Sequence, residues 1–190
     1  MILEGLVTTI DAAGAPHVAP MGPIVDADCS LLVFRPFPTS TTGANLLRSG
    51  AGVFHLTDDA RQIAFAALGK LVPLPVMIPA TAVRGSIIED CCRAFEFEAT
   101  SIDTAGERYR IEARVLVRHT FRDFLGFHRA KHAVLEAAIL ATRFHILDLA
   151  VVATEFRKLR TIVDKTGGEA ERDAMDFLEG ELASQRGAMR

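Results

Sequence analysis

The chain has 190 residues, 21 lysines and arginines against 24 aspartates and glutamates, and a hydrophobic share of 49%. A net charge of −3 lacks the basic field that phosphate-backbone binding requires, so nucleic acid is excluded as the main partner. Its three cysteines, two of them adjacent at Cys91-Cys92, are an odd count that excludes a disulfide framework and fits a reducing cytoplasm, with buried structural thiols as the default.

The first half reads as short strands and turns. Gly5–Ile10 is rich in β-branched residues and stops at Asp11-Ala12-Ala13-Gly14, a turn signal. Ala15–Gly22 follows as an antiparallel partner whose prolines suit an edge or a bulge. Asp26-Ala27-Asp28 makes the next turn and Cys29–Phe34 a third strand. A short helix from about Thr42 to Arg48 ends at Ser49-Gly50-Ala51-Gly52, and Val53–Thr57 is a fourth strand. This order has the spacing of a small β-barrel. Asp58–Leu68 predicts a short helix, and Leu71–Ala80, with Pro73, Pro75 and Pro79, an irregular surface loop. Ala94–Ile102 and Arg108–Val117 predict a long hairpin, its second arm alternating apolar and charged residues so that one face enters the core. From Phe124 the pattern is helical: Phe127–Leu147, Glu155–Val163 and Glu169–Gln185, with Gly167-Gly168 as a break. A barrel over residues 1–122 and a helical appendage over 123–190 are therefore expected. No membrane span is expected, because the most apolar helical stretch holds Glu136, Arg143 and His145. Met1–Gly5 lacks the opening of a secretory leader.

Three constellations carry chemistry. In Arg35-Pro36-Phe37-Pro38-Thr39-Ser40-Thr41-Thr42-Gly43-Ala44-Asn45, a strand runs into an arginine, a hydroxyl-rich turn and a helix start. Helix starts leave N–H groups unpartnered and carry the positive end of the dipole, so added hydroxyls and a guanidinium make a phosphate cradle. Simple capping by Ser40, Thr41 or Thr42 is the commoner use of such residues and stands beside that reading. One hairpin away, His17-Val18-Ala19-Pro20-Met21-Gly22 offers backbone against which a flat ring can lie; an edge strand with a bulge is the alternative. Third, Arg129, His132, Glu136 and Arg143 fall on one stripe of a helix that is otherwise small or apolar. A structural ion-pair network centred on Glu136 is one reading, and Arg129 reaching a cofactor or anionic substrate the other. His128 and His132 have the i, i+4 spacing of a metal pair but no third ligand, and no metal is expected. His55 and His119 read as packed or surface residues, and Lys165-Thr166-Gly167-Gly168 as a helix break rather than a phosphate loop.

Val7–Ile10, His17–Gly22, Arg35-Pro36-Phe37, Thr57-Asp58-Asp59, Arg129–Ala137, Ala141-Thr142-Arg143 and Val163–Gly168 together resemble the family catalogued as domain of unknown function 447, relatives of FMN-binding, flavin-reductase-like split barrels. The resemblance covers nearly the whole chain. It implies a six-stranded split β-barrel with a C-terminal helical appendage, a homodimer, and FMN near the dimer interface. By it, Arg35, Ser40, Thr41, Thr42 and Asn45 would bind the FMN phosphate, and Val18, Ala19, Pro20 and Met21 would line the isoalloxazine. His17 is then the best candidate for a proton donor near the ring. The chain departs from the family pattern at His55 and His128, where asparagine is expected. The function implied is an FMN-dependent oxidoreductase of flavin-reductase type acting on a small substrate or electron donor. A non-enzymatic flavin carrier, or a barrel using deazaflavin or haem, is the alternative.

Overall fold

Asp11–Gly14 folds the chain back on itself. Asp11 Oδ1 accepts the Ala15 N–H at 2.8 Å, and Gly14 takes a φ of 90°, open to a residue without Cβ. In the computed structural model, which describes residues 1–124 and 126–188, this turn joins β1 (Gly5–Ile10) to β2 (Pro16–Met21), with Thr9 opposite His17 and Leu6 opposite Pro20. The described residues fall into two units. One comprises Met1–Thr57 and Pro73–Phe124; the other comprises Asp58–Val72 and the described residues after Phe124. Asp58–Val72, which lies within the stretch read as barrel, thus groups with the helices.

The first unit is a curled antiparallel sheet. After β2 come β3 (Ile24–Val25), β4 (Leu31–Phe34), α1 (Thr41–Ser49), β5 (Ala51–Leu56), β6 (Met77–Pro79), β7 (Ser86–Ile88), β8 (Arg93–Asp103) and β9 (Arg110–Thr120). The main sheet has seven strands in the order β2-β1-β5-β8-β9-β4-β3, and β6 and β7 form a separate two-stranded ribbon. This is the split-barrel class expected, with a different strand count. The extra members, β3, β6 and β7, are two or three residues long. Such runs are too short to show the period-2 alternation by which strands are read. They also place a strand, β6, inside the stretch read as irregular loop.

The β8–β9 hairpin is the longest pairing and carries register shifts at Glu96/Phe97 and Ala99/Ser101, bulges that bend and twist a sheet. Phe34, Phe54 and Phe97 fill its concave side, with Phe34 and Phe97 centroids 4.6 Å apart and Phe34 meeting Phe54 edge-on at 6.4 Å. Leu32, Leu46 and Ile111 complete that core. Cys91 and Cys92 are buried; burial pushes the Cys91 thiol up to about 12, so it stays protonated and packs as a small apolar group, while the Cys92 thiol donates to Asp123 O at 3.9 Å.

The second unit is helical: α2 (Ala60–Ala67), α3 (Arg129–Ala141), α4 (Leu149–Thr166) and α5 (Glu169–Ala188). Its core is alanine-rich, with Ala130, Ala133, Ala137, Ala138 and Ala141 of α3 against Phe156, Met175 and Leu178. The helix expected over 127–147 is shorter at both ends. His128 caps it, Nδ1 accepting the Lys131 N–H at 3.3 Å. After Ala141 the chain turns out, so that Phe144 packs against Phe156 with centroids 6.1 Å apart. α4 starts earlier than expected because Asp148 caps it, accepting the Ala150 N–H at 2.8 Å. Gly167 breaks α4 from α5 as read: a Cβ there would lie 2.7 Å from Val163 O. No helix among the described residues is long and apolar enough to cross a membrane.

Candidate functional site

Ten of the eleven residues expected at the site lie in the barrel unit, on β2, on α1 and on the loop before α1; Arg129 lies in the helical unit. Ser40 is the N-cap of α1. Its Oγ accepts the Gly43 N–H at 3.0 Å and donates to Phe37 O at 2.7 Å, while Ser40 N donates to the same carbonyl at 3.0 Å. The capping role open to Ser40, Thr41 and Thr42 therefore falls to Ser40. With Gly43 capped and Ala44 N bonded to Ser40 O at 3.0 Å, the N–H groups of Thr41 and Thr42 are left without intrahelical acceptors. Thr41 is exposed and Thr42 buried, and no acidic side chain occupies the first turn. Arg35 is exposed at the loop's start, and among the described residues it forms no ion pair.

The loop sits tightly on the helix. A Cβ at Gly43 would come within 2.9 Å of both Phe37 O and Ser40 Oγ, so only glycine permits this approach. Asn45 anchors α1 from beneath: it is 3% exposed, Nδ2 donates to Thr9 Oγ1 at 3.0 Å, and Oδ1 accepts from Arg48 Nη1 at 3.1 Å. Arg48 also donates to Ile10 O. Asn45's amide is thus committed to tying helix to strand. At the other end of α1, Gly50 takes a φ of 64° and returns its N–H to Leu46 O, closing the helix.

β2 is an edge strand, paired among the described residues with β1 alone, so alternate backbone groups along its other edge have no sheet partner there. Val18 is buried, and Ala19, Pro20 and Met21 are half-buried. Burial pushes the His17 imidazole below its ordinary range, against the opposing pull of the Asp11 carboxylate. It is neutral at pH 7, and so a poor proton donor there.

Two buried polar centres behind this face were not legible as such. His55 is fully buried: Nδ1–H donates to Leu6 O at 3.2 Å and Nε2 accepts the Ile88 N–H at 3.0 Å, which fixes the tautomer. Burial lowers its pKa to about 4. Glu96 is also fully buried, and accepts from Thr81 N at 2.8 Å, Thr81 Oγ1 at 2.7 Å, Ala82 N at 2.6 Å, Val83 N at 3.1 Å and His119 Nε2 at 2.7 Å. Burial opposes its ionisation, but these donors outweigh that and hold its pKa down to about 2.

In the helical unit the ion-pair network expected around Glu136 does not form. Arg129, His132, Glu136 and Arg143 are exposed, and neither arginine pairs with Glu136. Each is seven residues away, about 10 Å along the axis, beyond a guanidinium–carboxylate bond. The buried charge belongs instead to Glu171, which accepts from Gly168 N at 2.8 Å and faces Lys131 Nζ at 3.2 Å. Lys131 also donates to Asp58 O at 2.6 Å, so one lysine ties α3 to α5 and to the start of the α2 segment.

A curled, seven-stranded antiparallel sheet joined to a set of helices defines the split-barrel class, and the comparisons agree. Family models described as protein of unknown function (DUF447) match residues 3–122, as the N-terminal domain, and residues 128–180; the chain belongs to this family. Among solved structures it is similar to an FMN-bound DUF447 protein from Methanosarcina mazei, at 20% identity and a TM-score of 0.81, over 95% of this chain and 94% of that one. It is also similar to flavoredoxin from Methanosarcina acetivorans, at 10% identity and a TM-score of 0.56, over 66% of this chain and 72% of that one. The flavin reductase of styrene monooxygenase from Pseudomonas putida S12 follows at 14% identity and a TM-score of 0.52, over 62% of this chain and 78% of that one. A search of curated protein sequences gave no match.

Proposed function

We propose that this protein binds FMN and acts, as a homodimer, as a flavin-dependent oxidoreductase of flavin-reductase type on a small substrate. The observation that carries the reading is the start of α1: two N–H groups without intrahelical acceptors, an exposed Thr41 hydroxyl, an Arg35 with no ion-pair partner among the described residues, and no carboxylate in the first turn. That donor set fits a dianionic phosphate monoester. Arg35, Thr41 and Thr42 hold the phosphate; Ser40, expected beside them, spends both its donors on Phe37 O and serves instead as the cap, with Asn45 fixing the helix beneath. Val18, Ala19, Pro20 and Met21, on the free edge of β2, give the ring an apolar bed and backbone groups for its polar edge. The FMN reported in the Methanosarcina mazei family member supports the same ligand here.

When bound, FMN supplies hydride and electron chemistry, and the protein supplies binding, orientation and electrostatics. His17, neutral at pH 7, accepts or donates a hydrogen bond at the ring without adding charge. Arg129, exposed at the first position of α3 and without an ion-pair partner among the described residues, is free to take an anionic group. The test is a visible spectrum of the purified protein and titration with FMN, followed by anaerobic addition of NADH or NADPH. Flavin bands that bleach on addition of the nucleotide support an oxidoreductase. Bands that persist indicate a carrier. A deazaflavin or Soret band, or no binding of FMN, overturns the proposal.

A further inference from the structure

Resting on that reading, we infer that Arg108 is a second arginine of the phosphate site, held in place by Phe37, and that it sets the preference for FMN over flavins lacking a phosphate. The loop before α1 carries a phenyl ring that a folding argument does not explain. Phe37 is 52% exposed, between Pro36 and Pro38, whose rings fix the backbone on either side. The Arg108 guanidinium, from the turn between β8 and β9, lies 3.9 Å from the centre of that ring. The next residue's N–H, that of Tyr109, donates to Pro36 O at 3.1 Å, which clips the hairpin end to the loop. Stacking a guanidinium on an aromatic face restrains it while leaving its edge N–H donors free, the arrangement in which arginine recognises phosphate.

The ring is joined to the helix start by short links. Phe37 O accepts both the N–H and the hydroxyl of Ser40, and lies 2.9 Å from where a Cβ on Gly43 would stand. Arg35 stands two residues from Phe37 in the same loop. Among the described residues neither Arg35 nor Arg108 has an ion-pair partner, while neighbouring Arg110 is neutralised by Glu112 at 2.8 Å. In a chain where acidic residues outnumber basic ones 24 to 21, two uncompensated guanidinium groups on one short loop and its clip call for an anion from outside. A phosphate monoester end is the chemistry that satisfies both.

The test is equilibrium titration of the full chain with FMN and, separately, riboflavin, for wild type, Arg108→Ala, Arg108→Lys and Phe37→Leu, with thermal melting of each. Arg108→Ala is expected to weaken FMN about ten-fold or more and leave riboflavin unchanged, since a charge-assisted bond to phosphate is lost and nothing at the ring. Arg108→Lys restores part of the loss through its charge. Phe37→Leu weakens FMN less than Arg108→Ala, because the guanidinium remains but is no longer restrained. Melting points are expected to move little, as both side chains are exposed. Unchanged FMN affinity in Arg108→Ala, or an equal loss for FMN and riboflavin, overturns the inference and leaves the FMN reading intact. A wild type that binds FMN no better than riboflavin overturns the phosphate cradle itself, and with it this role for Arg108.

Discussion

The two units bury different things. The barrel unit buries Thr8, Thr9, Thr42, Asn45, His55, Thr57 and Glu96; in the helical unit Glu171 is the buried charge, set in a core of alanines and a few large apolar residues. A buried polar group is costly unless partnered, and the barrel's are partnered by strands and loops far away in sequence. Glu96 gathers the 81–83 loop, His55 joins β1 to the segment at Ile88, and Asn45 ties α1 to β1. Polar burial in the barrel therefore holds loops and a helix start in fixed places, as a binding face needs. Burial in the helical unit packs helices closely, and its alanines make that closeness possible.

The sharpest way to break this contrast is Glu96→Leu. It leaves the Thr81, Ala82 and Val83 N–H groups and the His119 ring without their acceptor. A loss of about 3–5 kcal/mol is expected by chemical denaturation, with the 81–83 loop exposed to protease. The ionised Glu96 also stabilises the fold above its unfolded pKa of 4.5, and that contribution is lost as pH falls through about 2.

His55 gives the next largest effect. Its folded pKa, about 4, lies below the ordinary 6.5, so between those values the unfolded chain binds a proton that the native state refuses. Stability is then full above pH 6.5 and falls as pH drops toward 4, by on the order of 3 kcal/mol. Urea unfolding at a series of pH values measures it. His55→Asn should flatten that dependence, and a slope unchanged in the variant would assign it elsewhere.

In the helical unit the corresponding change is Lys131→Met, which leaves the Glu171 carboxylate with the Gly168 N–H but no cation. About 1–3 kcal/mol is expected from thermal or chemical unfolding. FMN titration should be unaffected, since the lysine's partners, Glu171 and Asp58, both belong to the helical unit. Smallest is Ser40→Ala, about 1 kcal/mol for a lost N-cap. Its effect on FMN affinity should exceed that of Lys131→Met, because the same hydroxyl holds Phe37 O over the helix start.

The legible parts of the chain were those governed by local rules. The Asp11–Gly14 turn, the β1–β2 pairing, the helix after Ser40 and the break at Gly167 follow from turn chemistry, capping and glycine geometry within a few residues. The long β8–β9 hairpin showed in the alternation of its second arm, but Glu96, on the first arm, did not stand out. Between Phe95 and Phe97 a glutamate reads as facing water, and only a loop 13 to 15 residues earlier in the chain, folded over it, makes it a buried anchor. Asn45 lay in the helix as read, yet its partner Thr9 lies 36 residues away, so its anchoring role was invisible. The Glu136 network failed for the opposite reason. A shared helical stripe was visible, but sharing a stripe at seven residues is not contact.

The central claim is that the start of α1 takes a phosphate. A crystal structure of the protein grown with excess FMN tests it most directly. Phosphate density within hydrogen-bond distance of the Thr41 and Thr42 N–H groups and of Arg35, with the ring lying along Val18–Met21, is the predicted result. Density for the flavin at any other place, with water alone at that helix start, would contradict it.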